Sequence, residues 1–347
     1  MNSPLKIAVV GCGVIGTEHL KTLRKEEHIT LSAVCDKDPA ILEAVSEEFS
    51  PVDCFDSADR LLSEGDFDAA VLALPTAYRR DLTRHFIEAG KHVLLEKPAG
   101  MNEKDILEFE ALRSPDQIVA SCSSRFSNSR ALRQGREWIE AGEIGRVRLL
   151  RCRGLLAAKP VPDKPYPRWR IRHEINGGGI LSNWGAYDLD FILSLSGWSF
   201  DPEDIKGRVF NVPAEVDGFH IPDSNVETHA LCLAENSEGQ LLHYERAETY
   251  PGDTNSCWEI LGTKGSVSMD MLKAAQGVTL HQLDPEKGAV SKTVCFSEDK
   301  DYDLHRIPVS NFVAAIRGEA PPLTDLRKSA LIARIIDGIY NSATNKE

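Results

Sequence analysis

The sequence predicts an α/β chain in two parts, a doubly wound parallel sheet over 1–124 followed by a strand-rich α+β part over 125–347. Three observations carry this. Lys6-Ile7-Ala8-Val9-Val10 is an apolar run of strand length that passes directly into Gly11-Cys12-Gly13-Val14-Ile15-Gly16 and a helical pattern through Leu20 and Leu23. Strand and helix patterns then alternate as far as Cys122. Beyond about residue 124 the period becomes two, which supplies an antiparallel sheet. A chain of 347 residues is long enough for each part to bury its own core.

The glycine run has the spacing and the strand-before, helix-after setting of a Rossmann dinucleotide fingerprint. Gly11 permits the tight turn, Gly13 lets a pyrophosphate approach the backbone, and Gly16 lets helix and strand pack closely. Cys12, Val14 and Ile15 complete the loop around the phosphates; with no histidine partner in the pattern, Cys12 reads as a space-filler and not a nucleophile. A second strand, Thr30 to Cys35, ends at Asp36, 20 residues beyond Gly16, where an acid hydrogen-bonds the adenosine ribose and repels a 2'-phosphate. NAD is therefore expected, with NADP left open because Lys37 adjoins.

The alternation continues with a helix over Ile41 to Phe49 and strands over Val52 to Phe55 and Ala69 to Leu74. A helix over Tyr78 to Ala89 follows, then Val93-Leu94-Leu95 as a buried parallel strand, a helix over Glu103 to Leu112 and a strand over Gln117 to Cys122. Ligands of such sheets bind at the carboxyl ends of the strands. That places Leu74, Pro75, Thr76, Glu96 and Lys97 with the glycine loop in the cofactor crevice. Pro98 restricts the Lys97 backbone to extended conformations, so the lysine is presented with little freedom.

In the second part a helix over Ala131 to Ala141 precedes a strand over Val147 to Arg153. Further strands fall near Val226–Ala234, Gln240–Thr249, Ser256–Gly262, Ser266–Met269, Val278–Gln282 and Ser291–Phe296, and helices over Asp303–Arg317 and Asp325–Tyr340 close the chain. Two stretches carry chemistry. Lys159 to Asn176 is proline-rich, basic and aromatic, and Arg168, Trp169 and Arg172 are candidates to clamp an anionic sugar or stack a pyranose; a loop crossing a subunit boundary is the alternative. After Gly177-Gly-Gly179, a helix brings Asn183, Tyr187 and Asp190 onto one face and suggests a lined pocket.

Composition excludes other classes. A formal charge of −13 with no basic face speaks against nucleic acid and anionic membrane as partners. Eight scattered cysteines without a C-x-x-C pair give neither a zinc ribbon nor a disulfide framework, no trio of side chains has metal-ligand spacing, and a reducing cytoplasm is expected. The apolar run at the amino terminus is too short for a signal peptide, and no 18-residue apolar segment follows.

The glycine loop, Asp36, Glu88 to Pro98 (Glu-Ala-Gly-Lys-His-Val-Leu-Leu-Glu-Lys-Pro), Arg125-Phe126, Gly142 to Arg146 and Gly177 to Gly179 together resemble the glucose-fructose oxidoreductase, inositol dehydrogenase and rhizopine catabolism (Gfo/Idh/MocA) family. The resemblance implies a large, open, mostly antiparallel sheet in the second domain and a homodimer or homotetramer. It also implies NAD(P)-dependent hydride transfer at a secondary alcohol or ketone of a sugar, glycoside or cyclitol. Lys97 and Tyr187 would then be the catalytic pair, with Lys97 polarising the oxygen and Tyr187 exchanging the proton, and Asn183 would orient the substrate. Relatives often carry aspartate at position 183, histidine at 187 and histidine at 79, where this chain has Asn183, Tyr187 and Arg79. Two rival functions use the same scaffold, an NAD-requiring lyase or glycosidase with transient sugar oxidation and a non-catalytic sensor of sugar or dinucleotide.

Overall fold

The computed structural model describes residues 4–160, 166–211, 216, 218–219, 221–296 and 303–344; positions 161–165 of the basic loop lie outside that set. The chain divides into two compact units. The first comprises residues 1–125 and 303–330, the second residues 126–302 and 331–347.

The first unit contains β1 (Leu5–Val10), α1 (Val14–Leu23), β2 (Ile29–Cys35), α2 (Pro39–Phe49), β3 (Asp53–Phe55), α3 (Ala58–Glu64), β4 (Ala69–Leu72), α4 (Thr76–Glu88), β5 (His92–Leu95), α5 (Glu103–Leu112) and β6 (Val119–Ser121). The six strands form an all-parallel sheet in the order β3-β2-β1-β4-β5-β6. The order reverses beside β1, so the crevice above the carboxyl ends of β1 and β4 is the switch point where such sheets bind ligands. β4 and the apolar run of β5 are buried almost throughout, as strands covered on both faces must be. Asp38 caps α2 by accepting from the Ala40 amide at 3.0 Å, and Asn102 caps α5 by accepting from the Asp105 amide at 2.9 Å. The helix over Ala58–Glu64, which the sequence pattern left unassigned, starts at a Ser57 cap. A late segment of chain also belongs here: Val309, Phe312 and Val313 share one core with Ile7, Leu20, Leu23 and Leu94.

The second unit contains α6 (Arg130–Glu140), β7 (Val147–Ala157), α7 (Arg168–Ile171), α8 (His173–Asn176), α9 (Ile180–Leu195), β8 (Pro202–Phe210), β9 (His229–Asn236), β10 (Leu241–Tyr250), β11 (Asn255–Gly262), β12 (Gly265–Met269), β13 (Val278–Asp284) and β14 (Gly288–Val294). Two helices follow in the chain, α10 (Arg306–Ile316) of the first unit and α11 (Leu326–Thr344), within which the dividing line falls. The eight strands form one open sheet in the order β14-β13-β12-β11-β7-β10-β9-β8, antiparallel except where β10 pairs with β7. β8 was not legible as a strand. Its residues Glu203 to Arg208 are mostly charged, and Gly207 interrupts the pattern because a Cβ there would lie 2.8 Å from Ile339 of α11.

The apolar helix α9 lies against the inner face of this sheet, and an ion pair fixes it there. Asp188 of α9 and Arg246 of β10 are both fully buried and meet at 3.3 Å, and the Tyr244 hydroxyl donates to the other Asp188 oxygen at 3.3 Å. Gly154 makes room for this arginine, since a Cβ at that position would stand 2.3 Å from Nη1. A charge taken out of water is tolerated only with a partner, so the pair dictates which residues of α9 face the sheet.

Candidate active site

In the first unit the cofactor cradle is built at the carboxyl ends of β1 and β2. Gly11 has φ +86°, and a Cβ on Gly16 would stand 1.9 Å from the Gly11 carbonyl oxygen, so both glycines are required by the chain's own packing. Gly13 is different. A Cβ there would meet nothing within 4 Å, which leaves the space open for a ligand to approach the backbone. No side chain caps α1, its first turn carries no acid, and Val14 is 90% exposed at its start. Asp36 accepts from the Cys12 amide at 2.8 Å and the Asp38 amide at 3.0 Å, so its carboxylate stands beside the glycine loop. Burial, together with the charge of Asp36, pushes the Cys12 thiol up to about 12, which keeps it a thiol. Ile15 is half-buried beside the loop. These residues fit a dinucleotide with its pyrophosphate at the helix start and a ribose at Asp36.

Lys97 follows β5, and its backbone is held from two sides. Glu96 is buried; its Oε1 meets His19 Nε2 at 2.8 Å and Arg125 Nη2 at 3.4 Å, and its Oε2 accepts from the Lys97 amide at 3.0 Å. Burial alone would raise the pKa of this carboxyl, but the hydrogen bond and charge of His19, with Arg125 and Lys97, hold it well below the usual carboxylate range. Arg79, fully buried, donates to the carbonyl oxygens of Glu96 and Pro98 and to Thr76 Oγ1 at 3.3 Å. It thus brackets the lysine, whose peptide bond to Pro98 is cis. Thr76 is buried at the start of α4, while Leu74 and Pro75 are half-buried. Sequence reasoning assigned no role to Arg79 or His19; neither has a local signal, because the Glu96 carbonyl and carboxylate they meet are 17 and 77 residues away.

His19, Glu96 and Cys122 bring donor atoms within 4.8 Å of one another. Their chemistry is that of an ion-pair cluster: the 2.8 Å His19–Glu96 separation is a hydrogen bond, and a guanidinium already lies on the oxygen a metal would use.

In the second unit, α9 carries Asn183 and Tyr187 one turn apart. Its start is unusual, for Gly179 supplies no side-chain cap and the carboxylate of Glu227 does so instead, accepting from the amides of Gly179 at 2.9 Å and Leu181 at 2.9 Å. Tyr340 donates to the same carboxylate at 2.9 Å. The glycine run is explained by these approaches, since a Cβ would stand 1.8 Å from the Tyr340 hydroxyl at Gly178 and 2.0 Å from the Glu227 carbonyl oxygen at Gly179. Tyr187 is 3% exposed and lies edge-on to Phe126 at 5.1 Å and to Trp184 at 5.7 Å. Arg246 caps Trp184 from 4.2 Å.

Beside the start of α9 a small cleft, with room for about one water, is lined by Asn183, Tyr166, Arg170 and Glu248 among others. Of the residues singled out in the basic loop, none of Arg168, Trp169 and Arg172 lines it. Arg168 and Trp169 are exposed, and Arg172 is paired with Glu174 at 2.7 Å. Arg170, between them in sequence, is the one that turns inward. Asp190 does not line it either; it is fully buried and accepts from the Ser127 hydroxyl.

The glycine cradle, the Asp36 carboxylate beside it and the bracketed lysine fit a dinucleotide-dependent oxidoreductase scaffold. Residues 5–119 match the family model described as an oxidoreductase family with an NAD-binding Rossmann fold, and residues 132–268 match that of the GFO/IDH/MocA C-terminal domain. The chain belongs to the GFO/IDH/MocA family, and its first unit is an NAD-binding Rossmann domain. It is 29% identical over 272 residues to the dTDP-3,4-didehydro-2,6-dideoxy-alpha-D-glucose 3-reductase of Streptomyces violaceoruber, covering 77% of this chain and 72% of that one. It is 23% identical over 329 residues to the scyllo-inositol 2-dehydrogenase (NAD(+)) of Bacillus subtilis strain 168, covering 94% and 90%. The fold superposes on levoglucosan dehydrogenase in complex with NADH and levoglucosan with a TM-score of 0.82 at 18% identity, covering 99% of this chain and 98% of that one. Against the WlbA dehydrogenase from Bordetella pertussis in complex with NADH and UDP-GlcNAcA the TM-score is 0.78 at 21% identity, with coverage of 98% and 96%.

The Glu96 cluster carries a pH prediction. A carboxyl whose folded pKa is depressed stabilises the fold above its unfolded value of about 4.3, and that stabilisation is lost as pH falls below it. The native protein should exceed Glu96→Gln in urea midpoint at pH 7, and the gap should shrink as the pH is lowered toward about 3.5. A gap that stays constant or widens on acidification would contradict the assignment.

Proposed function

We propose that the protein transfers hydride between NAD and a secondary alcohol or ketone of a sugar, glycoside or cyclitol. The observation that carries this reading is the fixing of Lys97, at the end of β5 in an NAD-binding unit, by the Glu96 carboxylate and the Arg79 guanidinium. When bound, the nicotinamide exchanges the hydride with the carbinol carbon. The chain's residues handle the rest. Lys97 polarises the reacting oxygen, Tyr187 takes its proton in oxidation and returns it in reduction, and Asn183 orients the substrate. A phenol must ionise to accept a proton, and an amide at 183 avoids the repulsion a carboxylate would impose on the phenolate.

The assembly proposed is a homodimer or homotetramer formed through the outer face of the eight-stranded sheet. Leu149, Leu241 and Leu261 stand in one row across β7, β10 and β11 on the face opposite the buried Leu150, Leu242 and Ile260, and Leu233 on β9 is 48% exposed. Apolar rows of this kind favour a covered face. A cytoplasmic setting is proposed on the eight cysteines, all of which are free thiols. No helix among the described residues is long and apolar enough to cross a membrane.

Three measurements check these assignments. Light scattering at micromolar concentration should give a multiple of the chain mass, and a monomer would refute the assembly. Calorimetry should show NAD binding more tightly than NADP, with the difference narrowed in Asp36→Ala; equal affinities in the native protein would remove Asp36 from the ribose. Tyr187→Phe should keep NAD affinity and fold while turnover falls by about 10² to 10⁴. A phenylalanine variant with a raised KM and near-native kcat would shift the proton transfer to Lys97.

A further inference from the structure

We infer that His19 is a positioning residue that carries occupancy of the phosphate site at the start of α1 to the backbone of Lys97, so that a bound nucleoside diphosphate tightens the lysine's anchorage from a distance. The inference rests on the NAD-binding character of the first unit. It leans on the proposed redox reading only in giving Lys97 a role that fixed placement serves.

The glycine loop and α1 are joined closely enough to act as one body. Gly16 packs on the Gly11 carbonyl oxygen with no room for a Cβ, the Thr17 amide donates to the Gly13 carbonyl oxygen at 2.8 Å, and the Thr17 hydroxyl donates to that of Cys12 at 3.1 Å. A pyrophosphate held at the loop therefore fixes the helix too. His19 stands five residues beyond Val14, about 7.5 Å along the axis, and is fully buried. Its Nε2 meets Glu96 Oε1 at 2.8 Å, whereas its Nδ1 has no hydrogen-bond partner among the described residues. An ionised carboxylate only accepts, so the shared proton sits on Nε2. The other oxygen of Glu96 accepts from the Lys97 amide at 3.0 Å, which completes a path from loop to lysine.

The remaining groups that hold this corner do not lie on the helix that receives the phosphates. Arg125 follows β6 and meets Oε1 at the longer distance of 3.4 Å, and Arg79 of α4 takes the carbonyl oxygens of Glu96 and Pro98. Strand order separates a transmitted effect from a direct one. Asp36 ends β2 on one side of β1, and β5 lies two strands away on the other side, about 9.6 Å at ordinary strand spacing. A nucleoside diphosphate with its pyrophosphate on the loop and its ribose at Asp36 thus extends away from Lys97. The two states it biases are the Lys97 amide bonded to Glu96 and the same amide released; fixing His19 favours the first by removing freedom the carboxylate would otherwise keep.

The probe is ADP, which carries the pyrophosphate and the adenosine ribose and lacks the nicotinamide that would reach the lysine directly. Hydrogen exchange at the Lys97 amide, read in the full chain by mass spectrometry of overlapping peptides, should slow about 5-fold or more when ADP saturates the native protein. Two amide variants, brought to the same ADP occupancy by calorimetry, differ in reach. His19→Asn, whose amide ends where Nδ1 stands, should lose the slowing, and His19→Gln, whose amide nitrogen reaches the Nε2 position, should keep most of it. His19→Leu replaces the asparagine variant if that one fails to fold. The inference is overturned if millimolar ADP leaves native Lys97 exchange unchanged, or if His19→Asn retains the slowing. It is equally overturned if His19→Gln does no better than His19→Asn, which would make His19 a packing residue. No turnover is read, so failure here leaves the redox proposal standing, and coupling found in a protein that forms no NADH would sustain this inference alone.

Discussion

Burying the Glu96 carboxylate is the constraint on which the arrangement around Lys97 depends. An ionised group in a protein interior must be compensated, and here the compensation comes from α1 through His19 and from Arg125 beyond β6. Two segments distant in sequence are thereby drawn to the end of β5. The second carboxylate oxygen is left to accept from the Lys97 amide, and Arg79 takes the carbonyls on either side. What results is a lysine whose backbone is fixed before and after it. For the role proposed for Lys97, placement is thereby settled before substrate arrives.

The second unit obeys the same rule at two further carboxylates. Asp188 ties the middle of α9 to β10 through Arg246 and Tyr244, and Glu227 ties its start to the residues leading into β9. Asn183 and Tyr187 lie between these two attachments, so the helix face bearing them cannot rotate without breaking one of them. The glycines at 154, 178 and 179 are consequences of this arrangement, each vacating the volume that a buried arginine, a tyrosine hydroxyl or a backbone carbonyl must occupy.

What the sequence made legible follows from how local each signal is. The nucleotide cradle was readable because strand, glycine loop, helix and Asp36 lie within 36 residues. Strand alternation revealed most of the second sheet for the same reason. β8 escaped because its inner face is covered by α11 across more than 100 residues of sequence, so Gly207 reads as a break when it is a contact. The parts played by His19, Glu227 and Arg246 escaped because a buried polar residue is identified by its partner, and every one of those partners is remote except in space. The basic loop shows what counting charges leaves open. Counting charges pointed to Arg168 and Arg172, whereas the short helix at Arg168–Ile171 turns Arg170 inward and leaves its neighbours outside. Helical periodicity put Asp190 on a line with Tyr187, and both are buried, with Asp190 accepting from Ser127.

The electrostatics along α9 bear on a tyrosine placed where relatives often carry histidine. An imidazole gains a proton to act and is helped by a neighbouring carboxylate; a phenol loses one and is hindered by it. Along α9 the other acids have partners of their own, Asp188 in Arg246 and Asp190 in Ser127, while position 183 is an amide. The cation on this side, Arg246, lies over Trp184, whose ring meets that of Tyr187 edge-on. For a phenol as proton carrier, the role proposed for Tyr187, every nearby negative charge works against ionisation, and the amide at 183 leaves out the one an aspartate would add there.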